Sequence, residues 1–297
     1  MNKETAGTLL ALATAIVSGV AIPVNKAFIV NMDPAVFTAV RSIIIGVIFL
    51  ALSLKFSGKK TKTNWKYMAI IAVIGGAFAF LLYFTGLKLT TASRAAFLHK
   101  TLPFYVAVLA FVFLKEKISR RYAYAMIMMV VGIVAIYYAS ISPAEMWLNP
   151  HLGDALIIIA TMMWAVENVI ARKAMLGGAT NYIVSFSRMF FGGLIIFGFA
   201  ALTGKAGAIA SITAPQLFNI SVSTALLFAY VLFFYSSLRF INASKAAALL
   251  LLSPVISLVL GITFLGEPAP LLQLGGSVVI LLGAYLMAGM KSEQRGI

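Results

Sequence analysis

The residues best suited to binding or catalytic chemistry are polar side chains inside long apolar stretches. His99 and Lys100 lie in one such stretch, and Trp164, Glu167 and Asn168 lie in another. An ionisable side chain within a membrane span is costly and by default indicates a functional site. Two alternatives stand for Lys100 and Glu167. They form a structural ion pair, or one or both of them face a water-filled cavity and bind a charged group of a substrate or a coupling proton.

Trp164, Glu167 and Asn168 share one helix face, because side chains at i, i+3 and i+4 are neighbours. A tryptophan beside polar groups can form the wall of a substrate site, and packing is an equal alternative. Two tyrosines in other apolar stretches are further candidates. The candidate substrate-binding residues are His99, Lys100, Trp164, Glu167, Asn168, Tyr83 and Tyr230.

Four other residues are candidates for gating or scaffold roles. Arg41 and Arg188 lie about 10 Å inside a membrane face, where arginine either reaches helix-end carbonyls or steers an anion. Pro103 and Pro254 lack the N–H that closes a helical hydrogen bond, so we expect bends there. Such bends act as gates or only shape the helices.

These side chains must be positioned by membrane helices. The chain has 297 residues, 62% of them hydrophobic and 10% charged, with a mean hydropathy of +1.02. Soluble domains are about 45–50% apolar and about 25% charged. Ten continuously apolar stretches are each long enough to cross about 30 Å of hydrocarbon as a helix. They cover residues 7–24, 35–54, 67–87, 93–114, 122–140, 154–171, 182–202, 217–238, 246–265 and 271–290.

The composition also excludes or disfavours several classes of function. The absence of cysteine excludes disulfides and thiolate metal sites, and two histidines make a histidine-built metal centre unexpected. We predict neither a metal nor a cofactor. The sequence contains no nucleotide-binding P-loop motif, which disfavours ATP-driven transport. A membrane enzyme, which needs a paired acid and base, and a passive channel are minor alternatives.

The net charge of +15 is explained by membrane orientation. If the N-terminus is cytoplasmic, the inner segments hold 16 of the 23 Lys and Arg residues, the outer segments hold 4, and three lie inside spans. Cytoplasmic segments of membrane proteins attract basic residues. We therefore expect a multi-pass protein of the cell membrane with both termini in the cytoplasm. Its basic charge would meet anionic lipid headgroups rather than nucleic acid.

The two halves of the chain repeat each other. Arg41 matches Arg188 at an offset of 147 residues, and residues 92–96 match residues 243–247 at an offset of 151. The repeats, 1–145 and 146–297, contain five spans each, so the second enters the membrane from the opposite side. Inverted repeats are typical of secondary transporters, which hold substrate near the midplane between the repeats.

The repeat separates shared residues from single ones. His99, Lys100 and Glu167 have apolar residues at the matching positions, so they are freer to bind an asymmetric substrate. Small residues recur in the fifth and tenth spans, including Gly132 and Gly283, and indicate close helix packing within the chain or at a homodimer surface. Repeated glutamates end the fourth and ninth spans and are expected to complement the N-terminus of the next helix. These are Glu116 and Glu267.

Two sequence patterns are typical of a known family. The sixth span contains Trp164-Ala165-Val166-Glu167-Asn168 followed by Arg172-Lys173, which resembles a Trp-Gly-x-x-Asn…Lys motif. Each repeat then closes on an Ala…Pro…Leu-x-Glu pattern, which ends at Leu114-Lys115-Glu116 and at Leu265-Gly266-Glu267. The chain resembles the drug/metabolite transporter superfamily, in proteins with two EamA domains, over residues 7–140 and 154–290. In the first span Val17-Ser18 stands where Trp-Gly is usual.

The resemblance implies ten helices and a central cavity lined by the first four helices of each repeat. It also implies export or exchange of metabolites. We expect a secondary transporter of small polar metabolites such as amino acids, working by alternating access, because Lys100 and Glu167 match a zwitterion. The alternative is an anion antiporter for sugar phosphates or nucleotide sugars, if Lys100, Arg41 and Arg188 converge. Proton coupling through Glu167 or His99 and proton-free exchange are equally compatible with the sequence.

Overall fold

Ten membrane-length helices make up most of the part of the chain that the structure describes. The computed structural model describes residues 2–28, 32–56, 62–138, 141, 148–149, 151–266, 268 and 270–292. The ten helices of this part of the chain are long and apolar enough to cross a membrane. They are α1 (Lys3–Phe28), α2 (Pro34–Phe56), α3 (Trp65–Leu89), α4 (Ala92–Phe113), α5 (Arg120–Tyr138), α6 (Leu152–Leu176), α7 (Asn181–Leu202), α8 (Ala214–Ser237), α9 (Ala243–Leu265) and α10 (Leu271–Ala288). The predicted all-α membrane fold is confirmed.

The helices pack in pairs that repeat across the two halves. Helix α1 packs against α8 and α9, and its counterpart α6 packs against α3 and α4. The second helices of the two repeats, α2 and α7, contact each other, and so do the fifth helices, α5 and α10. Equivalent helices are five positions apart in the order of the spans. Because five is an odd number, they cross the membrane in opposite directions, and the second repeat is inverted. The largest contacts between helices join one repeat to the other.

The fourth helix of each repeat is interrupted near the membrane interior. Helix α4 consists of Ala92–His99 and Leu102–Phe113, and α9 consists of Ala243–Leu249, a short 3₁₀ turn and Ser253–Leu265. Pro103 and Pro254 occupy the first turn of the second segment in each case. Proline is tolerated there because its missing N–H would have no helical partner. The expected bends are thus helix breaks, with the proline restarting the helix.

Helices α3 and α7 contain wider π-helical segments, Ile71–Phe78 and Ser187–Phe191, which face each other. A Cβ atom on Gly76 would lie 2.3 Å from the carbonyl oxygen of Arg188, and one on Gly192 would lie 2.6 Å from the backbone of Gly76. Glycine is therefore required where these segments meet. Segments of π-helix occur frequently at functional sites.

Small residues of α5 and α10 join these two helices within the chain. A Cβ atom on Gly132 would lie 2.5 Å from the carbonyl oxygen of Gly276, and one on Gly283 would lie 2.9 Å from that of Ala125. Such close approach increases van der Waals contact between helices in lipid. The repeated small residues are thus used in packing within one chain, which was one of the two expected roles.

Matching ion pairs lie on the two faces of the helix bundle. We call the face that holds Lys3 and Ala288 the terminal face. On the other face Arg94 Nη2 lies 2.5 Å from Asp154 Oδ2, and on the terminal face Lys245 Nζ lies 2.8 Å from Glu4 Oε1. Arg94 and Lys245 are repeat counterparts, and their partners lie in the first turns of α6 and α1. Each ion pair therefore connects the fourth helix of one repeat to the first helix of the other.

Glu116 contacts a different helix from the one expected. Its carboxylate accepts hydrogen bonds from the backbone N–H of Ala243 at 2.8 Å and of Ser244 at 3.1 Å, at the start of α9. The negative charge complements the helix dipole there. The expectation that Glu116 serves the next helix, α5, was wrong because α9 of the other repeat begins beside it. Its counterpart Glu267 lies outside the described residues.

Candidate substrate cavity

A cavity of about 250 Å³ lies between the two repeats. Its walls come from α1, α3, α4, α6, α7 and α8. One part of the lining is aromatic and consists of Phe80, Tyr83, Phe84, Trp164, Tyr230 and Phe234. The polar part consists of Ser18, Asn25, His99, Lys100, Asn168 and Arg188. A cavity with mostly apolar walls and a few convergent polar groups is the usual form of a small-molecule site.

Six of the seven residues expected to bind substrate line this cavity, namely Tyr83, His99, Lys100, Trp164, Asn168 and Tyr230. Glu167 does not line it, since its side chain is fully buried one layer behind the wall. Arg188, which the sequence placed among gating or scaffold candidates, lines the cavity instead. Of the three residues that the spacing in α6 groups together, Trp164 and Asn168 line the cavity and Glu167 lies behind its wall.

Trp164 anchors the aromatic wall. Its indole Nε1 donates a hydrogen bond to the carbonyl oxygen of Gly75 at 3.0 Å, within the π-helical segment of α3. The Trp164 ring lies 5.3 Å from the Tyr83 ring and 5.0 Å from the His99 ring, between centroids. Tilted and edge-to-face contacts at these distances are favourable. Trp164 therefore both packs and lines the cavity, which combines the two alternatives for it.

The hydrogen bonds around His99 assign its tautomer. His99 Nδ1 lies 3.3 Å from Thr161 Oγ1, and the Thr161 hydroxyl donates to the carbonyl oxygen of Ile157 at 2.7 Å. Because a hydroxyl has one hydrogen, Thr161 Oγ1 can only accept from His99. Neutral His99 is thus protonated at Nδ1, which leaves Nε2 as a hydrogen-bond acceptor.

Lys100 lies at the break in α4 and reaches the matching break in α9. Its Nζ donates to Ser253 Oγ at 2.7 Å, and the Ser253 hydroxyl donates to the carbonyl oxygen of Leu250 at 2.9 Å. An ammonium group has three donors, so Lys100 keeps further donors for a ligand. The first alternative, an ion pair between Lys100 and Glu167, is wrong, because these side chains have other partners.

Glu167 pairs with Arg188 and Tyr235. The Tyr235 hydroxyl donates to Glu167 Oε1, and Arg188 Nε lies 3.7 Å from Glu167 Oε2. Within the described chain neither Glu167 Oε2 nor Arg188 Nε has a hydrogen-bond partner, although both atoms are buried. A Cβ atom on Gly75 would lie 2.1 Å from Glu167 Cγ, so the carboxylate fits only because residue 75 is glycine. Arg188 thus connects the cavity to a buried carboxylate.

Arg41, the repeat counterpart of Arg188, has a different environment. Its Nη1 donates to Ser223 Oγ at 2.5 Å and to Asn25 Oδ1 at 3.4 Å, and its guanidinium lies 3.9 Å from the centre of the Phe37 ring. Arg41 is buried but does not line the cavity. Lys100, Arg41 and Arg188 therefore do not all converge on one site, since only Lys100 and Arg188 share the cavity.

Several residues of the site were not singled out from the sequence. These are Gly75, Thr161, Tyr235 and Ser253, each of which binds or accommodates a residue of the cavity wall. A continuously apolar span does not reveal which way a single hydroxyl faces. The one available signal was the position of Ser253 immediately before Pro254, at the repeat of the α4 break.

Comparison with known proteins assigns the chain to a family. The pattern of the EamA-like transporter family matches residues 5–138 and again residues 151–289. An uncharacterized transporter of Archaeoglobus fulgidus is 25% identical over 99% of this chain and 100% of its own length. The uncharacterized transporter YyaM of Bacillus subtilis is 22% identical over 95% of this chain and 93% of its own. One crystal structure of a protein has the same fold, with a TM-score of 0.77 at 15% identity over 95% of this chain and 98% of the other.

Proposed function

This chain belongs to the EamA-like transporter family, and on that premise we propose that it exports or exchanges small zwitterionic metabolites such as amino acids. The observation that carries the proposal is the pair of neighbouring residues His99 and Lys100 on one cavity wall. Lys100 offers a positive charge with free donors, and His99 offers an acceptor at Nε2. A carboxylate and an ammonium on one carbon atom match this pair.

Each part of an amino acid has a complementary group in the cavity. The carboxylate would bind the Lys100 ammonium through a charge-assisted hydrogen bond. The ammonium would donate to His99 Nε2 and lie near the Trp164 and Tyr83 rings, whose faces attract cations. The apolar remainder of the substrate would contact Phe80 and Phe84. Sites of this kind use few polar groups to orient a ligand within an apolar enclosure.

Cavity size and charge favour an amino acid over the anionic alternative. The volume of about 250 Å³ lies below the range of about 300–1,000 Å³ typical of sites for drug-sized ligands, which disfavours a nucleotide sugar. The second cation of the cavity, Arg188, already faces the Glu167 carboxylate. A sugar phosphate would therefore have to compete with Glu167 for Arg188. An anion antiporter for sugar phosphates remains the alternative that the experiment below distinguishes.

In an alternating-access cycle the cavity would open first to one membrane face and then to the other. The inverted repeats provide two near-equivalent arrangements of one packing pattern, and their exchange opens opposite faces. We propose that Glu167 couples this exchange to a proton, because protonation would remove the partner of Arg188 and leave a cation on the cavity wall. Exchange of two substrates without a proton is the competing mechanism. We place the terminal face in the cytoplasm of a cell-membrane protein, on the basis of its lysines and arginines.

Counterflow into liposomes tests the proposal. Purified protein is reconstituted into vesicles loaded with an unlabelled amino acid, and entry of the labelled amino acid is followed. The same assay is run with an amine lacking the carboxylate, a sugar phosphate and a nucleotide sugar. We expect saturable counterflow with the amino acid only. Counterflow with the sugar phosphate but not with any amino acid would establish the alternative, and flux without saturation would indicate a channel.

Lysine variants connect the activity to the cavity. Lys100→Ala removes the carboxylate-binding charge and is expected to abolish counterflow. Lys66→Ala removes an exposed lysine at the start of α3, outside the cavity, and is the matched control. Normal counterflow by Lys100→Ala would refute the assigned carboxylate site, even if the protein transports amino acids.

A further inference from the structure

A second cavity, of about 360 Å³, opens on the terminal face where α5 begins, α9 begins and α10 ends. Four basic side chains line it, namely Lys117, Arg121, Lys245 and Lys291. Hydroxyl and amide groups of Ser119, Asn242, Ser244 and Ser292 contribute further polar atoms. We call this cavity the basic pocket. It lies apart from the substrate cavity, with which it shares no lining residue.

The cations around the basic pocket differ in their partners. Lys245 is buried and donates to Glu4 Oε1 at 2.8 Å and to the carbonyl oxygen of Ala288 at 3.2 Å. The nearby Glu116 carboxylate accepts from the start of α9. Arg121 and Lys291 are exposed and make no ion pair among the described residues. Arg121 and Lys291 thus present positive charge that no acid of the described chain pairs with.

The helices α5 and α10 that border the basic pocket also carry an exposed apolar surface suited to lipid chains. Above it, α5 and α10 turn apolar side chains outward, including Val131 at 56% exposure and Val278 at 55%. Tyr124 and Tyr285 are 61% and 79% exposed, one turn or less from the pocket. Exposed tyrosines with this placement are typical of the boundary between headgroups and acyl chains. Charged pocket, aromatic boundary and apolar surface follow one another in the order of the parts of a phospholipid.

We propose that the basic pocket binds the phosphate group of an anionic phospholipid whose acyl chains lie along α5 and α10. Arg121 and Lys291 would hold the phosphate, because guanidinium and ammonium groups make strong charge-assisted hydrogen bonds with phosphate oxygens. Basic pockets between membrane helices bind lipid headgroups in this way. The lipid would connect the start of α5 to the end of α10. Its binding stabilises the folded protein by mass action.

Thermal unfolding in lipid nanodiscs tests this site. The melting temperature is compared between nanodiscs of phosphatidylcholine and nanodiscs containing phosphatidylglycerol. We expect the anionic lipid to raise the Tm of the unaltered protein by about 2–4 °C. The variant Arg121→Gln/Lys291→Gln should lose this increment while keeping the same Tm in phosphatidylcholine. The control Lys62→Gln/Lys66→Gln removes equal charge from exposed positions on the terminal face outside the pocket and should keep the increment.

Two further results separate the sources of phosphate. Inorganic phosphate is added to protein in phosphatidylcholine nanodiscs, and we expect no shift at concentrations where the anionic lipid acts. A shift with inorganic phosphate and none with phosphatidylglycerol would overturn the lipid proposal. Equal increments in the pocket variant and in the control would also overturn it, because the lipid effect would then come from overall surface charge.

Discussion

Glu167 and Arg188 face each other across 3.7 Å, from α6 and α7, in a position closed to solvent on the carboxylate side. Arg188 also lines the central cavity, whereas Glu167 does not. The guanidinium therefore connects the carboxylate to the cavity wall. This arrangement makes the pair a unit whose members are best tested together.

A double-mutant cycle measures the coupling of this pair. Glu167→Gln leaves Arg188 as a buried cation without its carboxylate, and Arg188→Gln leaves the carboxylate without its cation. Losing one partner of a buried ion pair costs about 3–5 kcal/mol, and we expect the lower end because the paired atoms are not hydrogen-bonded. The double variant should be more stable than the sum of the single losses predicts. Additive losses of stability in chemical or thermal unfolding would show that the two side chains act independently.

Gly75 should tolerate no larger side chain. Gly75→Ala would place a Cβ atom 2.1 Å from Glu167 Cγ, so Glu167 or α3 must move, and overpacking of this kind costs about 1–3 kcal/mol. Gly198→Ala is the matched control, since no atom lies within 4 Å of its added Cβ. Alanine should there stabilise helix α7 slightly. Equal melting temperatures for the two variants would contradict the close contact of α3 and α6.

The hydrogen bond of Trp164 should contribute separately from its ring. Trp164→Phe keeps an aromatic side chain but removes the donor to the Gly75 carbonyl, and an unpaired buried acceptor costs about 1–3 kcal/mol. Trp65 is 58% exposed, so Trp65→Phe should leave stability unchanged. Both variants are compared by thermal unfolding and by binding of the transported amino acid. A harmless Trp164→Phe would mean that the indole N–H is dispensable.

Asp33 and Lys205 give a pH-dependent contact outside the membrane spans. Partial burial raises the pKa of Asp33, but Lys205 at 3.1 Å and the backbone N–H groups of Val36 and Ala35 outweigh it, so the pKa lies below the ordinary 3.8. A lowered carboxyl pKa adds stability above the unfolded-state pKa, and this stability disappears as the pH falls through the folded-state pKa. Asp33→Asn keeps a side-chain oxygen for capping α2. We expect a small loss of stability at neutral pH, below about 1 kcal/mol for so exposed a pair.

The measurement for Asp33 is the difference in Tm between the unaltered protein and Asp33→Asn as a function of pH. The difference should shrink toward zero as the pH is lowered below 3.8, where the unfolded carboxyl is protonated. A difference that grows on acidification would have the wrong sign for a carboxylate stabilised by Lys205.

The sequence predicted the fold well because membrane spans can be recognised from their apolar composition. Continuous apolar runs gave the ten helices, and the repeat gave their inverted arrangement. The π-helical segments of α3 and α7 were not foreseen, since they depend on the meeting of Gly76 and Gly192, which are distant in sequence. The helix breaks were anticipated only as bends at two prolines.

The sequence indicated which residues lie at the candidate site, but it did not indicate which residues they contact. His99, Lys100 and Trp164 were expected at a cavity because ionisable groups within an apolar span, and a tryptophan beside polar groups, indicate a binding site. The prediction that Glu167 pairs with Lys100 was wrong. Depth along the helices placed Lys100 within reach of Glu167, but the sequence does not give the rotation of α7, which brings Arg188 closer. The structural role of Arg188 thus depended on helix rotation, which a uniformly apolar span does not encode.

The contact of α5 with α10 joins the last helices of the two repeats, and we call this helix pair the clasp. Six helices line the cavity, and α5 and α10 are not among them, so we expect these two to stay in place while the lining helices change position. The chain has no cysteine of its own, so a pair of cysteines introduced across this contact would form a single defined cross-link. Turnover that survives such a cross-link would identify the clasp as the stationary frame of the transport cycle.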